Sequence, residues 1–357
     1  MSKKINNVQH SIDTEEREDR FNEIRSYGYE EEYKKNRYEW DYNPTNNIVA
    51  DYPLHVDLEL ASVCNLNCPM CYTITDDFKN KVNASLMSFE LFKKVIDEIS
   101  QNNVYSIRLS LRGESSLHKN FIECIKYAKE KGIKEVSTLT AGKKLIDKNF
   151  VKQMVEAGID WITVSVDGVD EVYESIRKPI KFDEIKQALR NIVEIKNENT
   201  SIKPAVKIQG IWPAVNKNVN KYLDVFTPLT DLIYTNPLVD YLSLDELKDI
   251  EYVTNFKCHQ PFQRLVIDSN GKVMACANDQ MGSICIGDAN TMSVHEIWHS
   301  EKMQEFRKDH IGNNAIDKYD ICKQCQVPRE RDYEEIVIKG KIFRIDNYKN
   351  RSQKIGS

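Results

Sequence analysis

The sequence has no run of apolar residues approaching the ~20 that a membrane-spanning helix needs. Its first residues, MSKKINNVQHSIDTEERED, lack the apolar centre of a secretory signal. Basic residues are not in excess either, because 50 Lys and Arg stand against 55 Asp and Glu, a net charge of −5. These absences argue against a membrane protein and against a protein that coats nucleic acid or an anionic membrane. We therefore expect a cytoplasmic protein with neither kind of partner.

The chain also lacks low-complexity segments, and its one internal repeat is the βα unit. From residue 55, short apolar runs alternate with amphipathic stretches, which is typical of a parallel sheet covered by helices. The predicted strands are 55–62, 106–113, 134–141, 161–168, 204–212 and 231–237. Six such units are too few to close an eight-stranded barrel. The predicted fold is therefore α/β, a partial (βα)6 TIM-like barrel with a small C-terminal β-hairpin and helix domain.

Changes in composition divide the chain into four predicted regions. Residues 1–51 form a charged and aromatic helical extension, which either lies exposed on the domain or uses its tyrosines to cover a substrate mouth. Residues 52–250 form the barrel, and residues 251–330 a small metal-binding domain with a hairpin around 269–271. Residues 331–357 are a charged tail to which we assign no function.

The sequence contains nine cysteines, and seven of them fall into two groups. Such grouping in a cytosolic chain indicates metal ligands rather than disulfides. The first group, Cys64, Cys68 and Cys71, follows the first predicted strand, at the end of the sheet where α/β barrels carry their chemistry. Thiolates suit either zinc or iron–sulfur, but a structural zinc site needs a fourth ligand and none lies nearby.

The segment LASVCNLNCPMCY, with its C-x3-C-x2-C spacing, resembles the defining motif of the radical S-adenosylmethionine (SAM) superfamily. The resemblance implies a [4Fe–4S] cluster with one open iron that binds SAM. It also implies reductive cleavage of SAM to a 5′-deoxyadenosyl radical, and an electron donor such as flavodoxin or ferredoxin. Met70 stands where the family prefers an aromatic residue, so Tyr72 is expected to supply the adenine contact.

The ends of the following strands resemble other elements of that family. Residues 112–115 are similar to its GGEP element without the first Gly and the Pro, and residues 165–168 to its SxDG element. An exposed turn and, for Arg177, a surface arginine are the alternatives. The resemblance implies that SAM is bound by Tyr72, Arg112, Gly113, Glu114, Ser165, Asp167, Arg177 and Gln209.

The second group comprises Cys258, Cys276, Cys322 and Cys325. Two pairs of thiolates describe a zinc ribbon as well as an iron–sulfur site. The segment from residue 258 to residue 325 resembles the shortened SPASM domain called twitch, which implies an auxiliary [4Fe–4S] cluster. Four ligands leave no iron open to substrate, so electron transfer or structural support is the expected role.

The resemblance favours dehydrogenation of a small carbohydrate or amino-sugar substrate, whose electron leaves through the auxiliary cluster. A peptide epimerase or cross-linking enzyme is the alternative, and Cys285 is then the candidate hydrogen donor. A non-catalytic metal-binding protein is the third hypothesis.

Overall fold

The computed structural model describes residues 10–239, 249–312, 314–350 and 355. Twelve strands lie in this part of the chain: β1 His10–Ser11, β2 His55–Leu58, β3 Ser106–Arg108, β4 Glu135–Thr140, β5 Trp161–Ser165, β6 Ala205–Ile211, β7 Leu232–Asn236, β8 Arg264–Ile267, β9 Lys272–Met274, β10 Cys285–Asp288, β11 Arg331–Ile338 and β12 Lys341–Tyr348.

The α-helices of the same ranges are α1 Glu15–Ser26, α2 Glu30–Thr45, α3 Asp76–Lys81, α4 Phe89–Gln101, α5 Phe121–Glu130, α6 Lys148–Glu156, α7 Asp170–Ile176, α8 Phe182–Glu198, α9 Trp212–Val215, α10 Val219–Phe226, α11 Gln260–Gln263, α12 Val294–Trp298, α13 Glu301–Ile311, α14 Ala315–Lys318 and α15 Asp320–Gln324. None of the helices described is long and apolar enough to cross a membrane.

Ten strands form one sheet in the order β1-β7-β6-β5-β4-β3-β2-β8-β9-β10. Strands β2 to β7 run parallel to one another, so the predicted α/β architecture with six parallel strands is confirmed, and the short β1 pairs antiparallel with β7. Strand β8 joins the free side of β2 in parallel and then turns back antiparallel into β9, which confirms the predicted hairpin. The hairpin strands thus extend the same sheet instead of standing apart from it.

The two faces of the parallel strands differ in polarity. Val56 and Leu58 in β2 are fully buried and belong to the main apolar cluster. Asp57 and Glu59 are equally buried but point to the other face, because successive side chains of a strand alternate. The outer face therefore packs on helices such as α4, whose N-terminus is capped by Ser88. The inner face lines a polar interior.

The N-terminal extension lies at the end of the sheet where the parallel strands begin. In helix α1, Phe21 and Ile24 are buried in a small cluster with Leu232. Arg25 in the same helix pairs with Glu135, the first residue of β4, at 2.6 Å. Because the cysteine loop follows the opposite end of β2, helix α1 of this extension lies at the floor of the interior, away from the cysteines.

The charged tail contains a regular element that its composition did not reveal. Strands β11 and β12 form an antiparallel hairpin of eight residue pairs. Ile338, Ile345 and Tyr348 are buried, and they attach the hairpin to the rest of the molecule. Its other face is exposed at Val337 and Ile342, which are 72% and 70% accessible.

Candidate active site

Cys64, Cys68 and Cys71 lie in the loop that follows β2, and all three line one large cavity. The amide N–H of Cys71 donates to the carbonyl of Cys68 at 3.0 Å, which makes this part of the loop a tight turn. Cys68 is buried, Cys71 is half-buried and Cys64 is exposed. The loop thus presents three thiols to the interior of the barrel at the C-terminal end of a parallel strand.

Gly113 holds the next strand end against this cysteine loop. A Cβ atom at Gly113 would lie 2.3 Å from the carbonyl oxygen of Val63 and 2.6 Å from that of Ala61. The amide of Glu114 donates to the same Val63 oxygen at 2.9 Å. Two backbones therefore touch at a place where only glycine fits, and this contact sets the position of the cysteine loop relative to β3.

Glu114 is buried and ties the end of β3 to the end of β4. One carboxylate oxygen accepts from the hydroxyls of Ser116 at 2.6 Å and Thr140 at 2.7 Å. The other oxygen accepts from the amide of Ala141 at 2.8 Å. The carboxylate lines the cavity with its orientation already determined by these three donors, which is the arrangement expected of a preorganised anionic contact.

Arg112 has a different environment from the one that the motif suggested. Its side chain is 2% exposed, and its Nε donates to Glu59 at 2.7 Å. One guanidinium nitrogen also lies 3.4 Å from Asp268, at the end of β8. Burial alone lowers the pKa of Arg112, but its hydrogen bond to Glu59 and the charges of Glu59 and Asp268 raise it overall. Arg112 lines the cavity, yet its charge is used to join the barrel to the C-terminal hairpin.

Asp167 and Arg177 form a second buried pair. Arg177 Nε donates to Asp167 Oδ2 at 2.5 Å, and Asp167 Oδ1 accepts from the amide of Ile211 at 2.8 Å. A guanidinium nitrogen of Arg177 lies 3.8 Å from the sulfur of Cys68. Burial lowers the pKa of Arg177, but the charges of Asp167 and Cys68 raise it overall, so the cation is retained beside the thiol.

The remaining candidates for SAM binding lie around the same interior. Tyr72 and Ser165 line the large cavity, and Ser165 is paired with Gln209 in the register of β5 and β6. Gln209 shares a face of β6 with Lys207 and Ile211, both of which line the cavity. The cavity measures about 740 Å³ and is open to solvent. Cys285 does not line it; this residue is exposed on β10, and its thiol donates to the carbonyl of Gly287 at 3.3 Å.

The second cysteine group lines a separate, small cavity of about 40 Å³. Cys276 accepts a hydrogen bond from the amide of Asn278 at 3.3 Å. Cys325 accepts from the side chain of Asn278 and the amide of Val327, both at 3.4 Å. Hydrogen bonds to sulfur of this kind stabilise thiolates and tune iron–sulfur clusters. The other lining residues include the apolar side chains of Phe256, Pro261, Phe306, Ile316, Ile321 and Pro328.

The pKa values of Cys68 and Cys258 are raised, which is the opposite of what an activated nucleophile shows. Burial raises the pKa of Cys68 to about 11, although Arg177 opposes the shift. Burial also raises the pKa of Cys258 to about 12. A catalytic cysteine needs a lowered pKa, whereas a bound metal deprotonates its thiols outright. The chemistry of these donors therefore fits metal coordination.

An iron–sulfur cluster and a single zinc ion require different distances between the thiolate sulfurs that bind them. A tetrahedral zinc site with bonds of about 2.3 Å places its sulfurs about 3.8 Å apart. Within the described ranges, one group of three His, Cys, Asp or Glu residues has its ligand atoms within 4.8 Å of one another, and it consists of Asp51, His295 and His299. Both cysteine groups are spread more widely than this. They fit a cluster, in which each thiolate binds a different iron.

The two cavities share a wall formed by Gln260, Asn278 and Val327, which line both of them. Asn278 also donates to two of the four cysteine sulfurs of the smaller cavity. The auxiliary cysteines are therefore separated from the large interior by one layer of side chains, which the sequence did not predict.

Sequence reasoning also missed a group of charged residues in the lower part of the interior. Asp57 forms an ion pair with Arg108 at 2.8 Å and accepts a hydrogen bond from Arg264 at 3.1 Å. Burial raises the pKa of Asp57, but these two arginines and His55 lower it overall to far below its usual range. Lys207 lies between the rings of Trp161 and Tyr234, and burial with repulsion from nearby arginines lowers its pKa to about 7. The signal available in the sequence was charge inside predicted buried strands, as in HVDLEL and SIRLSLRG.

Comparison with known proteins agrees with this geometry. A model of the radical SAM superfamily matches residues 58–206, and a model of the SPASM iron–sulfur cluster-binding domain matches residues 258–326. The first match contains the three-cysteine loop and the second contains all four auxiliary cysteines. Both matched families are defined by iron–sulfur clusters, so zinc is the weaker interpretation for either group.

A probable GTP 3′,8-cyclase of Methanococcus maripaludis is 27% identical over 139 residues, which are 39% of this chain and 45% of the relative. The matched part is thus less than half the length of that relative. Among solved structures, BtrN in complex with AdoMet and 2-DOIA has a TM-score of 0.51 at 18% identity, covering 76% of this chain and 92% of BtrN.

Streptococcus suis SuiB bound to its precursor peptide SuiA has a TM-score of 0.53 at 13% identity, covering 84% of this chain and 77% of SuiB. These likenesses concern the fold. The domain matches imply SAM, a [4Fe–4S] cluster and an additional iron–sulfur cluster as cofactors. This chain belongs to the radical SAM superfamily and carries a C-terminal SPASM-type iron–sulfur domain.

Proposed function

We propose that this enzyme dehydrogenates a small polar substrate of the carbohydrate or amino-sugar type, and that the electron leaves through the auxiliary cluster. The observation that carries the proposal is the wall of Gln260, Asn278 and Val327 between the two cavities. It puts the auxiliary site one side-chain layer from the space where a substrate would lie. An electron acceptor at this distance suits an oxidation.

In this proposal Cys64, Cys68 and Cys71 hold the cluster that binds SAM, and the four other grouped cysteines hold the auxiliary cluster. SAM bound to a reduced [4Fe–4S] cluster supplies a 5′-deoxyadenosyl radical that abstracts hydrogen. Glu114 accepts the ammonium group of SAM, and Arg177 faces its carboxylate while held by Asp167. Tyr72, Gly113, Ser165 and Gln209 complete the surface for SAM, and Arg112 acts indirectly, by joining the barrel to the hairpin.

Four thiol ligands support an electron-transfer role for the auxiliary cluster. With every iron ligated by protein, substrate has no position to occupy on it. The hydrogen bonds from Asn278 and Val327 to the sulfurs stabilise negative charge and influence the reduction potential. A reduced flavodoxin or ferredoxin is the donor proposed for the first cluster.

The interior supports a small polar substrate. Its floor is closed by α1, and its inner face carries charged and hydroxyl side chains such as Arg108, Ser137 and Glu135. These groups can hydrogen-bond to hydroxyl and amino substituents. Loss of one hydrogen atom to the adenosyl radical, followed by one proton and one electron, converts an H–C–OH group into C=O.

Epimerisation of a peptide is the competing outcome, since it requires a thiol to return hydrogen to the substrate. Cys285 was the candidate donor, but it lies on β10 outside the residues that line the large cavity. This position favours oxidation.

The test uses anaerobically reconstituted holoenzyme with aminocyclitols and amino sugars in deuterated solvent. We expect a product two mass units lighter than its substrate, formed together with 5′-deoxyadenosine. Cys285→Ala should retain this activity, and replacement of Cys322 and Cys325 should abolish it. A stereoisomer of the substrate that is one mass unit heavier because it carries one carbon-bound solvent deuterium, and that Cys285→Ala no longer forms, would make epimerisation the function.

A further inference from the structure

Asp51, His295 and His299 form a cluster of metal-ligating side chains that contains none of the grouped cysteines. Their ligand atoms lie within 4.8 Å of one another. His295 and His299 are four positions apart, at the start and the end of α12, so their side chains emerge on one side of the helix. Asp51 belongs to the segment that leads into β2. The cluster therefore bridges the barrel and the C-terminal domain.

The distances within the cluster match the edges of a metal coordination shell. His295 Nε2 lies 3.2 Å from Asp51 Oδ1, and His299 Nε2 lies 2.9 Å from the carbonyl oxygen of Asp51. A tetrahedral shell with bonds of about 2.0–2.1 Å has edges of about 3.3 Å. Asp51 thus offers two oxygens and each histidine one nitrogen, and these two separations are close to an edge of such a shell.

Both segments that carry the ligands are held in place by buried contacts. Trp298 is fully buried, and its Nε1 donates to the carbonyl of Ala50 at 2.8 Å, which fixes the residue before Asp51 against α12. At the other end of the helix, Glu98 accepts from the amides of Val294 and His295 at 2.8 and 3.0 Å. The backbone segments that carry the ligands are therefore held against each other before any ion arrives, while the Asp51 carboxylate is exposed to solvent.

The ligand types indicate the class of ion. Neutral imidazole suits first-row divalent transition metals, and a carboxylate adds the negative charge that favours a cation. The two rings lie with their centroids 4.5 Å apart, and they are half-buried, so solvent can supply further ligands. The set contains no sulfur, which distinguishes it from both cysteine groups.

We propose that Asp51, His295 and His299 form a binding site for a divalent transition cation such as Zn²⁺, which joins the segment before β2 to α12. The site is structural, because it lies outside the residues that line the two cavities. Its occupancy stabilises the contact between the barrel and the SPASM-type domain. It is independent of the reaction proposed above.

The experiment adds Zn²⁺ to anaerobic holoenzyme in which both clusters are intact, and measures zinc and iron per chain with zinc X-ray absorption. We expect one zinc per chain, unchanged iron, and a first shell of nitrogen and oxygen at about 2.0–2.1 Å. Zinc should also raise the midpoint of thermal unfolding. His295→Gln, His299→Gln and Asp51→Asn should each weaken zinc binding at least about tenfold.

Asp76→Asn serves as the matched control, because it removes an exposed carboxylate, 94% accessible, that belongs to no such cluster. It should bind zinc like the parent. A sulfur shell at about 2.3 Å with loss of iron would assign the zinc to the cysteines and overturn the proposal. Absence of bound zinc, or a nitrogen and oxygen shell that persists in all three ligand variants, would overturn it equally.

Discussion

Replacement of Arg112 by Met tests whether this arginine is a structural tie or a contact for SAM. Its guanidinium makes two hydrogen bonds to Glu59, whose side chain is fully buried, and a longer contact to Asp268. Each charge-assisted hydrogen bond contributes about 1.5–3 kcal/mol. Removing one partner of a buried ion pair costs about 3–5 kcal/mol, because the other charge stays buried without compensation. The free energy expected from the two hydrogen bonds together therefore agrees with the cost of leaving Glu59 buried without its partner.

We therefore expect Arg112→Met to lower the free energy of unfolding by about 3–5 kcal/mol, or roughly 6–10 °C in the midpoint at ~2 °C per kcal/mol. Thermal unfolding followed by circular dichroism measures this, and equilibrium dialysis with labelled SAM measures cofactor affinity in the same samples. The double variant Glu59→Gln with Arg112→Met should recover most of the loss, since it leaves no isolated charge. Unchanged stability with weakened SAM binding in Arg112→Met would refute the structural role and make Arg112 a cofactor contact.

Three further predictions follow from the site. The anaerobic protein should contain about eight irons per chain. The variant with Cys64, Cys68 and Cys71 all replaced by Ala should keep about four irons and form no 5′-deoxyadenosine. If that variant still formed 5′-deoxyadenosine, the assignment of the loop would be wrong. Glu114→Gln should weaken SAM binding about ten- to a hundredfold with iron content unchanged, because a charge-assisted contact is lost, and equal affinity would make this segment a simple turn. Lys207→Met should raise the free energy of unfolding most at pH 7 and below, because folding lowers the pKa of Lys207 to about 7. This gain in stability should shrink by up to about 1.4 kcal/mol per pH unit as the pH rises from 7 towards 10.5. A gain that does not change with pH in unfolding measurements would contradict this pKa.

Much of the architecture is encoded locally. The alternation of apolar strands with amphipathic helices predicts a parallel sheet, because each βα unit must bury one face of its helix and one face of its strand. The spacing of Cys64, Cys68 and Cys71 also predicts a shared cluster without knowledge of the fold, since three thiols in one short loop can reach a common cluster in any fold. The hairpin at residues 269–271 was predictable for the same reason, because its turn residues are adjacent in the chain.

Side-chain partners distant in sequence were decided by the tertiary structure alone. The motif at residues 112–115 grouped Arg112 with Glu114, yet the two side chains have different neighbours: Glu59 and Asp268 for the first, Thr140 and Ala141 for the second. Nothing in the local sequence distinguishes them. A charged residue in a strand is paired by whichever opposite charge the neighbouring strands bring within reach.

The placement of whole segments was likewise beyond the sequence. Residues 1–51 were expected to be helical, but only the contact of Arg25 with Glu135 shows that they close the floor of the interior. The sequence made Cys285 a candidate hydrogen donor, but β10 places it away from the large cavity. No feature of the sequence singles out Asn278, which the fold places between the two groups of cysteines. Cysteine spacing determined which chemistry this protein carries, because metal ligation depends on residues close in the chain. The packing of strands and loops decided what surrounds that chemistry, because burial and charge pairing depend on residues that only the folded chain brings together.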